Sequence, residues 1–272
     1  MSIRRPGVKE VQNLASSLYM NFSDQEAQSY MSLLKSSLDI YDVIDKLPDN
    51  LPRPKYPRIG GAEPDPEDNP LNAWYQKTSI LGESGGLLSG KRVVLKDNIS
   101  LAGVGMMNGS STLEGYVSDI DATVVTRILE AGGEIAGKAH CEHFCLSGGS
   151  HTTSKGPIRN PHDPERSSGG SSGGCGALVG SGEIDMAIGG DQGGSIRIPS
   201  SWCGCVGMKA TWGLVPYTGA MAIEATVDHL GPITNNVANN ALLLEAIAGS
   251  DGLDPRQYSV QVNRYSDALN QS

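Results

Sequence analysis

The sequence predicts an α/β fold: a twisted mixed β-sheet flanked by helices and preceded by a small helical N-terminal unit. Three observations carry this. The apolar run Arg92-Val93-Val94-Leu95, a helical stretch over 122–131 and a second short run over 134–138 follow at the spacing of a strand–helix–strand unit. Two segments of helical periodicity occupy the first 47 residues. Between these regions, residues 48–70 contain seven prolines, at 48, 52, 54, 57, 64, 66 and 70. Proline lacks the N–H that helix interiors and central strands require, so this stretch reads as a linker. The expected division is therefore a helical unit with its linker over 1–69 and a main domain over 70–272.

The first helix is expected over 8–22, with Val8, Val11, Leu14, Ala15 and Leu18 on one face. Ser23-Asp24-Gln25-Glu26 is a capping-box pattern, which opens a second helix running to about Leu47 with a break near Asp39. In the main domain, Arg92 to Leu95 reads as a buried strand ending at Lys96-Asp97-Asn98. Asp121 is expected to cap the helix over 122–131, and Gly132-Gly133 closes it. Residues 172–179 read as a helix, 185–188 as a strand and 236–248 as a helix. From Asp251 onward the chain is polar, and no internal repeat is present.

Composition narrows the function. A chain of 272 residues with 38% hydrophobic content can build one large core with room for a small extra unit. A net charge of −9 with no offsetting basic stripe excludes nucleic acid as a partner. No apolar run of about 18 residues implies a membrane span, and the start lacks the apolar region of a signal peptide. Five cysteines without scaffold-like spacing indicate reduced thiols in a cytoplasmic protein. The 35 glycines are densest between Gly148 and Gly194.

That glycine-rich segment carries the chemistry. Gly169-Gly170-Ser171-Ser172-Gly173-Gly174 and Gly190-Asp191-Gln192-Gly193-Gly194-Ser195 place two serines in tight turns, 24 positions apart. A helix and a strand between them let both turns meet at one sheet edge. The glycines before Ser195 leave backbone N–H groups unobstructed, a nest suited to the oxyanion that amide attack generates. A serine hydroxyl needs a base, and no histidine adjoins either turn. A lysine at a buried strand end can serve, because burial disfavours its charged form. Lys96 holds that position, giving a Ser–Ser–Lys arrangement.

Val94-Leu95-Lys96-Asp97-Asn98, then GGSSGG at 169–174, then GGDQGGSIRIPSSWCGCVGMKATWG at 189–213 resembles the amidase signature family, with similarity running from about Pro70 to Pro255. The resemblance implies the amidase-signature fold and hydrolysis of a small carboxamide to acid and ammonia through an acyl-serine, without cofactor or metal. It implies Lys96 as base, Ser171 as relay after a cis peptide at Gly170, and Ser195 as nucleophile. It further implies that the N–H groups of Gln192, Gly193, Gly194 and Ser195 receive the oxyanion. The helical N-terminal unit resembles that of amidases partnered with nitrile metabolism. Ala210 replaces a proline usual in the family, and a local loop change is expected there. The family domain continues beyond Ser272. The chain is therefore expected to be its N-terminal part, weak or inactive alone and prone to self-association, with a homodimer among the assemblies allowed.

Other readings stand beside this one. An amidotransferase component that transfers ammonia to a tRNA-bound acyl group shares the signature, but the helical N-terminal unit argues against it. A non-catalytic remnant would fit the short length. A nucleophile elbow at Gly169 to Gly173 needs a preceding strand, and 160–168 is polar with two prolines. A phosphate loop needs Lys-Ser or Lys-Thr after its last glycine, which neither cluster has. His140-Cys141-Glu142-His143-Phe144-Cys145 lacks the paired spacing of a zinc site. Cys203 and Cys205 are expected as buried small residues, and Asp191 with Arg197 as an ion pair bracing the nucleophile turn. Ser32-Leu33-Leu34-Lys35 matches S-x-x-K but reads as a solvated helix face.

Overall fold

The computed structural model describes residues 3–48 and 51–270. The chain divides into two compact units, with the boundary between Leu51 and Pro52.

The first unit pairs two helices, α1 (Val8–Ser17) and α2 (Asp24–Ile44). α1 stops short of the expected residue 22. Tyr19 takes a left-handed φ of 60°, and the Met20 N–H turns back to the Ala15 carbonyl. The capping box forms as expected: Ser23 Oγ accepts from the Glu26 N–H, and Glu26 accepts from the Ser23 N–H at 2.8 Å. α2 shows no break at Asp39, whose carboxylate pairs with Lys35 one turn earlier and with Arg5. Lys35 of the S-x-x-K match thus lies on an exposed helix face.

The second unit is built on a six-stranded sheet. Its elements are β1 (Trp74–Leu81), β2 (Arg92–Lys96), α3 (Thr123–Glu130), β3 (Glu134–Ala139), α4 (Gly173–Gly180), β4 (Met186–Asp191), α5 (Arg197–Cys203), β5 (Val206–Gly207), β6 (His229–Thr234) and α6 (Val237–Ile247). The strand order is β1-β3-β2-β4-β6-β5. β2 runs parallel to β3 and β4, whereas β1, β5 and β6 join antiparallel, so the sheet is mixed. The proline-rich stretch joins this unit through an Ala62–Lys77 bridge.

Strand alternation sends successive side chains to opposite faces. On one face Val93 and Leu95 pack with α3 and α6 through Val125, Ile128, Leu243 and Ile247. On the other, Val94 packs with Ala177 and Leu178 of α4. Each such aliphatic side chain contributes about 1.5–3 kcal/mol when fully buried. Lys96, two residues after Val94, shares the α4 face, and this fixes where its ammonium can go.

Asp121 does not cap α3. The N-cap is Ala122, and the Asp121 carboxylate instead accepts from the Ala102 N–H at 3.0 Å and pairs with Arg58. The Thr123 N–H finds the Thr218 carbonyl, so the loop before β6 satisfies the helix end. β1, α5 and β6 escape the sequence patterns. β1 is an edge strand interrupted by two register shifts, and β6 carries Gly231-Pro232, which reads as a turn.

Candidate active site

β2 delivers Lys96 to the sheet edge with no solvent exposure. Its Nζ donates to Ser171 Oγ at 2.6 Å and to the Gly190 carbonyl at 3.2 Å. Ser171 lies just before α4, after a cis Gly170–Ser171 peptide. A Cβ on Gly170 would stand 2.8 Å from Glu142 Cγ and 3.0 Å from the Ser147 carbonyl oxygen, so the turn has no room for a side chain there.

Ser172 joins the two serine turns. Its hydroxyl accepts from the Gly190 N–H and donates to the Gly190 carbonyl, both at 3.1 Å, and its N–H donates to the Ser195 carbonyl at 3.2 Å. The structure thus brings Lys96, Ser171 and the Ser195 backbone together. Ser195 is buried, with 8% of its surface exposed.

β4 ends at Asp191, a buried carboxylate around which the Ser195 turn folds. It accepts the Gly194 N–H at 2.7 Å and the Ile196 N–H at 3.1 Å, and it meets the Arg197 guanidinium at 3.0 and 3.1 Å. Burial opposes ionisation, but Arg197 and the two N–H groups outweigh it and hold the carboxyl below its ordinary value. The Gly194 N–H is therefore committed to Asp191, unlike the free donor expected from the sequence. Gly193 is solvent-exposed, and a Cβ there would meet nothing within 4 Å.

Two neighbours of the turn, Tyr217 and Asp228, gave no sequence signal, whereas a third, Asn98, lies in the 94–98 motif. Gln192 Nε2 donates to Asp228 Oδ1 at 2.7 Å and to the Tyr217 hydroxyl at 3.3 Å, and Asn98 Nδ2 reaches the same hydroxyl at 3.2 Å. Asp228 also accepts the N–H groups of Ile223 and Glu224, tying the loop before β6 to the Ser195 turn. Burial, then Asp228, pushes the Tyr217 phenol far up, so it stays a hydroxyl. Asp228 sits in Thr226-Val227-Asp228-His229, which reads as an ordinary surface turn. Its role follows from a contact 36 residues distant in sequence.

Beside Lys96, Asp97 forms a fully buried ion pair with Lys138 at 3.0 Å and accepts the N–H groups of Met107 and Asn108. Burial pushes the Asp97 carboxyl up, against the pull of Lys138 and those N–H groups. The His140 to Cys145 segment forms a loop and short 3₁₀ turn after β3. Among the described residues no three His, Cys, Asp or Glu side chains are grouped to hold a metal, and no helix is long and apolar enough to cross a membrane. Cys203 is buried, but Cys205, expected to be buried too, is only partly so.

The family model described as Amidase matches residues 66–272. An enantioselective amidase of Rhodococcus rhodochrous is 45% identical over 258 residues, covering 94% of this chain and 49% of that protein. A glutamyl-tRNA(Gln) amidotransferase component of Moorella thermoacetica is 46% identical over 188 residues, covering 69% of this chain and 39% of that protein. Among solved structures, the corresponding amidotransferase component of Thermotoga maritima aligns with a TM-score of 0.68 at 39% identity, over 71% of this chain and 43% of that one. The native peptide amidase of Stenotrophomonas maltophilia aligns at 0.64 and 35%, over 68% of this chain and 39% of that one. The chain spans about half the length or less of the curated relatives it matches.

Proposed function

Because this chain belongs to the amidase family, we propose that it carries the catalytic groups of a carboxamide hydrolase, releasing acid and ammonia through an acyl-serine. The observation that carries the reading is the buried 2.6 Å contact between Lys96 Nζ and Ser171 Oγ, one peptide away from the Ser172 link to Ser195. In this reading Ser195 attacks the amide carbon while its proton passes through Ser171 to Lys96. The backbone N–H groups of Gln192, Gly193 and Ser195 receive the oxyanion, while Asp191 holds the turn's shape through Gly194 and Ile196. The relay then returns the proton to the leaving nitrogen, ammonia departs, and water cleaves the ester.

A simple amidase is favoured over an amidotransferase component. Similarity to the enantioselective amidase covers 94% of the chain, against 69% for the amidotransferase component. The free state of all five cysteines suits the reducing cytoplasm as the compartment.

A fluorophosphonate, which traps activated serines, tests the proposal on the chain itself. Intact-mass analysis is expected to show one adduct on the wild type, none on Ser195→Ala, and slowed labelling of Lys96→Ala. The same adduct on Ser195→Ala would remove Ser195 from the mechanism. Ammonia release from simple amides by the chain without partner chains would separate the amidase from the amidotransferase.

A further inference from the structure

Where β2 and β4 part, one phenol bridges the gap. The last partners in their parallel pairing are Leu95 and Ile188. Beyond them each strand follows another neighbour: Lys96 pairs with Ala139 of β3, and Gly190 and Asp191 pair with Leu230 and His229 of β6. A crevice at the carboxyl ends of parallel strands is where α/β sheets bind ligands, and the proposed base and nucleophile stand on its two sides. Lys96 Nζ crosses it to the Gly190 carbonyl at 3.2 Å. Two residues further along each strand, the Tyr217 hydroxyl makes a second crossing. It accepts from Asn98 Nδ2 at 3.2 Å and from Gln192 Nε2 at 3.3 Å.

Three features make this hydroxyl a fixed peg. Its hydrogen-bonding capacity is used up: its two lone pairs take the two amides, and its proton goes to the Met221 carbonyl at 3.4 Å. The amides cannot turn round, because the Met221 carbonyl and the Asp228 carboxylate, which only accept, hold Asn98 Nδ2 at 3.3 Å and Gln192 Nε2 at 2.7 Å. Tyr217 is also fastened from outside the crevice. Its N–H donates to the Asp254 carboxylate at 2.8 Å, and the Arg256 guanidinium, paired with Asp254, lies 4.9 Å from the ring centre. The loop that carries Tyr217 is anchored on the β2 side, through an Ile99–Ala220 bridge and a 2.8 Å bond from the Met221 N–H to the Asn98 carbonyl. The reach to Gln192 is therefore what spans the gap.

We propose that Tyr217 is a positioning residue for the hydrolysis: its hydroxyl fixes the spacing between Lys96, on one side of the crevice, and the Gln192 to Ser195 turn on the other. The assignment rests on the amidase reading. Tyr217 acts through Asn98 and Gln192. Proton relay and oxyanion stabilisation both depend on the spacing it sets, and a displacement of about 1 Å can cost about 100-fold in rate. Phenylalanine at this position keeps the ring and its contact with Arg256. It also leaves each amide its other acceptor, so it loosens the crevice without emptying the core.

The test measures the rate of fluorophosphonate labelling of Ser195 in the 272-residue chain, with folding followed by urea denaturation. Tyr217→Phe is expected to slow labelling roughly tenfold while keeping a cooperative urea transition. In a Gln192→Met background, where the bridge is already cut, the same substitution is expected to slow it by less than about twofold. A side chain that merely supported the fold would cost the same factor in both backgrounds, and that result overturns the proposal. Labelling of Tyr217→Phe within about twofold of wild type overturns it as well. Nuclear Overhauser contacts from the Tyr217 ring to the side-chain amides of both Asn98 and Gln192 are expected in the wild-type chain. Contacts to one amide alone overturn the bridge, and this measurement decides the question even where Tyr217→Phe fails to fold. Unchanged labelling of Tyr217→Phe would reject the peg and spare the amidase reading, whereas a wild type that takes no label at Ser195 would remove that reading and the proposal with it.

Discussion

Replacing Asp191 with alanine should destabilise the protein far more than removing its visible ionic partner. Two buried residues, Gly194 and Ile196, donate their N–H groups to this carboxylate at 2.7 and 3.1 Å. Asp191→Ala leaves both donors without an acceptor, at about 1–3 kcal/mol each, or about 2–6 kcal/mol together. The Arg197 side chain is 52% exposed, so its ion pair contributes about 0–1 kcal/mol. Against a typical domain stability of about 5–15 kcal/mol, the aspartate is a major term and the arginine a minor one. Urea denaturation followed by circular dichroism on Asp191→Ala, Asp191→Asn and Arg197→Ala measures this. The asparagine variant, which keeps one acceptor oxygen, should fall between the other two. Equal losses for Arg197→Ala and Asp191→Ala would show that the ion pair, and not the N–H acceptors, holds the turn. The pH dependence has a definite sign. The folded-state carboxyl lies below its ordinary 3.8, so its stabilisation is fully present above that value. It is lost as pH falls through the lower folded-state value. The gap between wild type and Asp191→Asn should therefore be constant at neutral pH and close only in acid.

Lys138→Met strands the buried Asp97 charge and should cost about 3–5 kcal/mol. Adding Asp97→Asn, which still offers an acceptor to Met107 and Asn108, should recover more than half of it, and additive losses in a double-mutant cycle would overturn this. Gly174→Ala should destabilise strongly, because its Cβ would sit 2.4 Å from the Ala73 carbonyl oxygen and 2.6 Å from that of His140. Gly193→Ala, facing open space, should shift stability by less than about 0.5 kcal/mol, and thermal melts compare the two directly. Asp228→Ala should release residues 223–224 from the Ser195 turn and raise their hydrogen exchange, and unchanged exchange there would deny the tether.

By itself the sequence determined the α/β class, the capping box at Ser23 and Glu26, and the β2 and β3 strands. These depend on local patterns: apolar periodicity, a cap three residues from its partner, and glycines bounding a helix. It also determined which residue types the candidate site contains, because Lys96, Ser171 and Ser195 lie in short glycine-rich or apolar contexts whose backbone constraints are local. Only the tertiary structure decided that Asp121 serves Ala102 and Arg58 instead of capping α3. The same holds for the Gly194 N–H, which belongs to Asp191, and for Asp228, which clamps Gln192. A polar side chain can satisfy a neighbour or a group far along the chain, and its pattern does not distinguish the two. β1 and β6 stayed hidden for a related reason: their identity as strands comes from pairing with β3 and β4, and the Gly231-Pro232 pair that signals a turn locally is held extended by its neighbours.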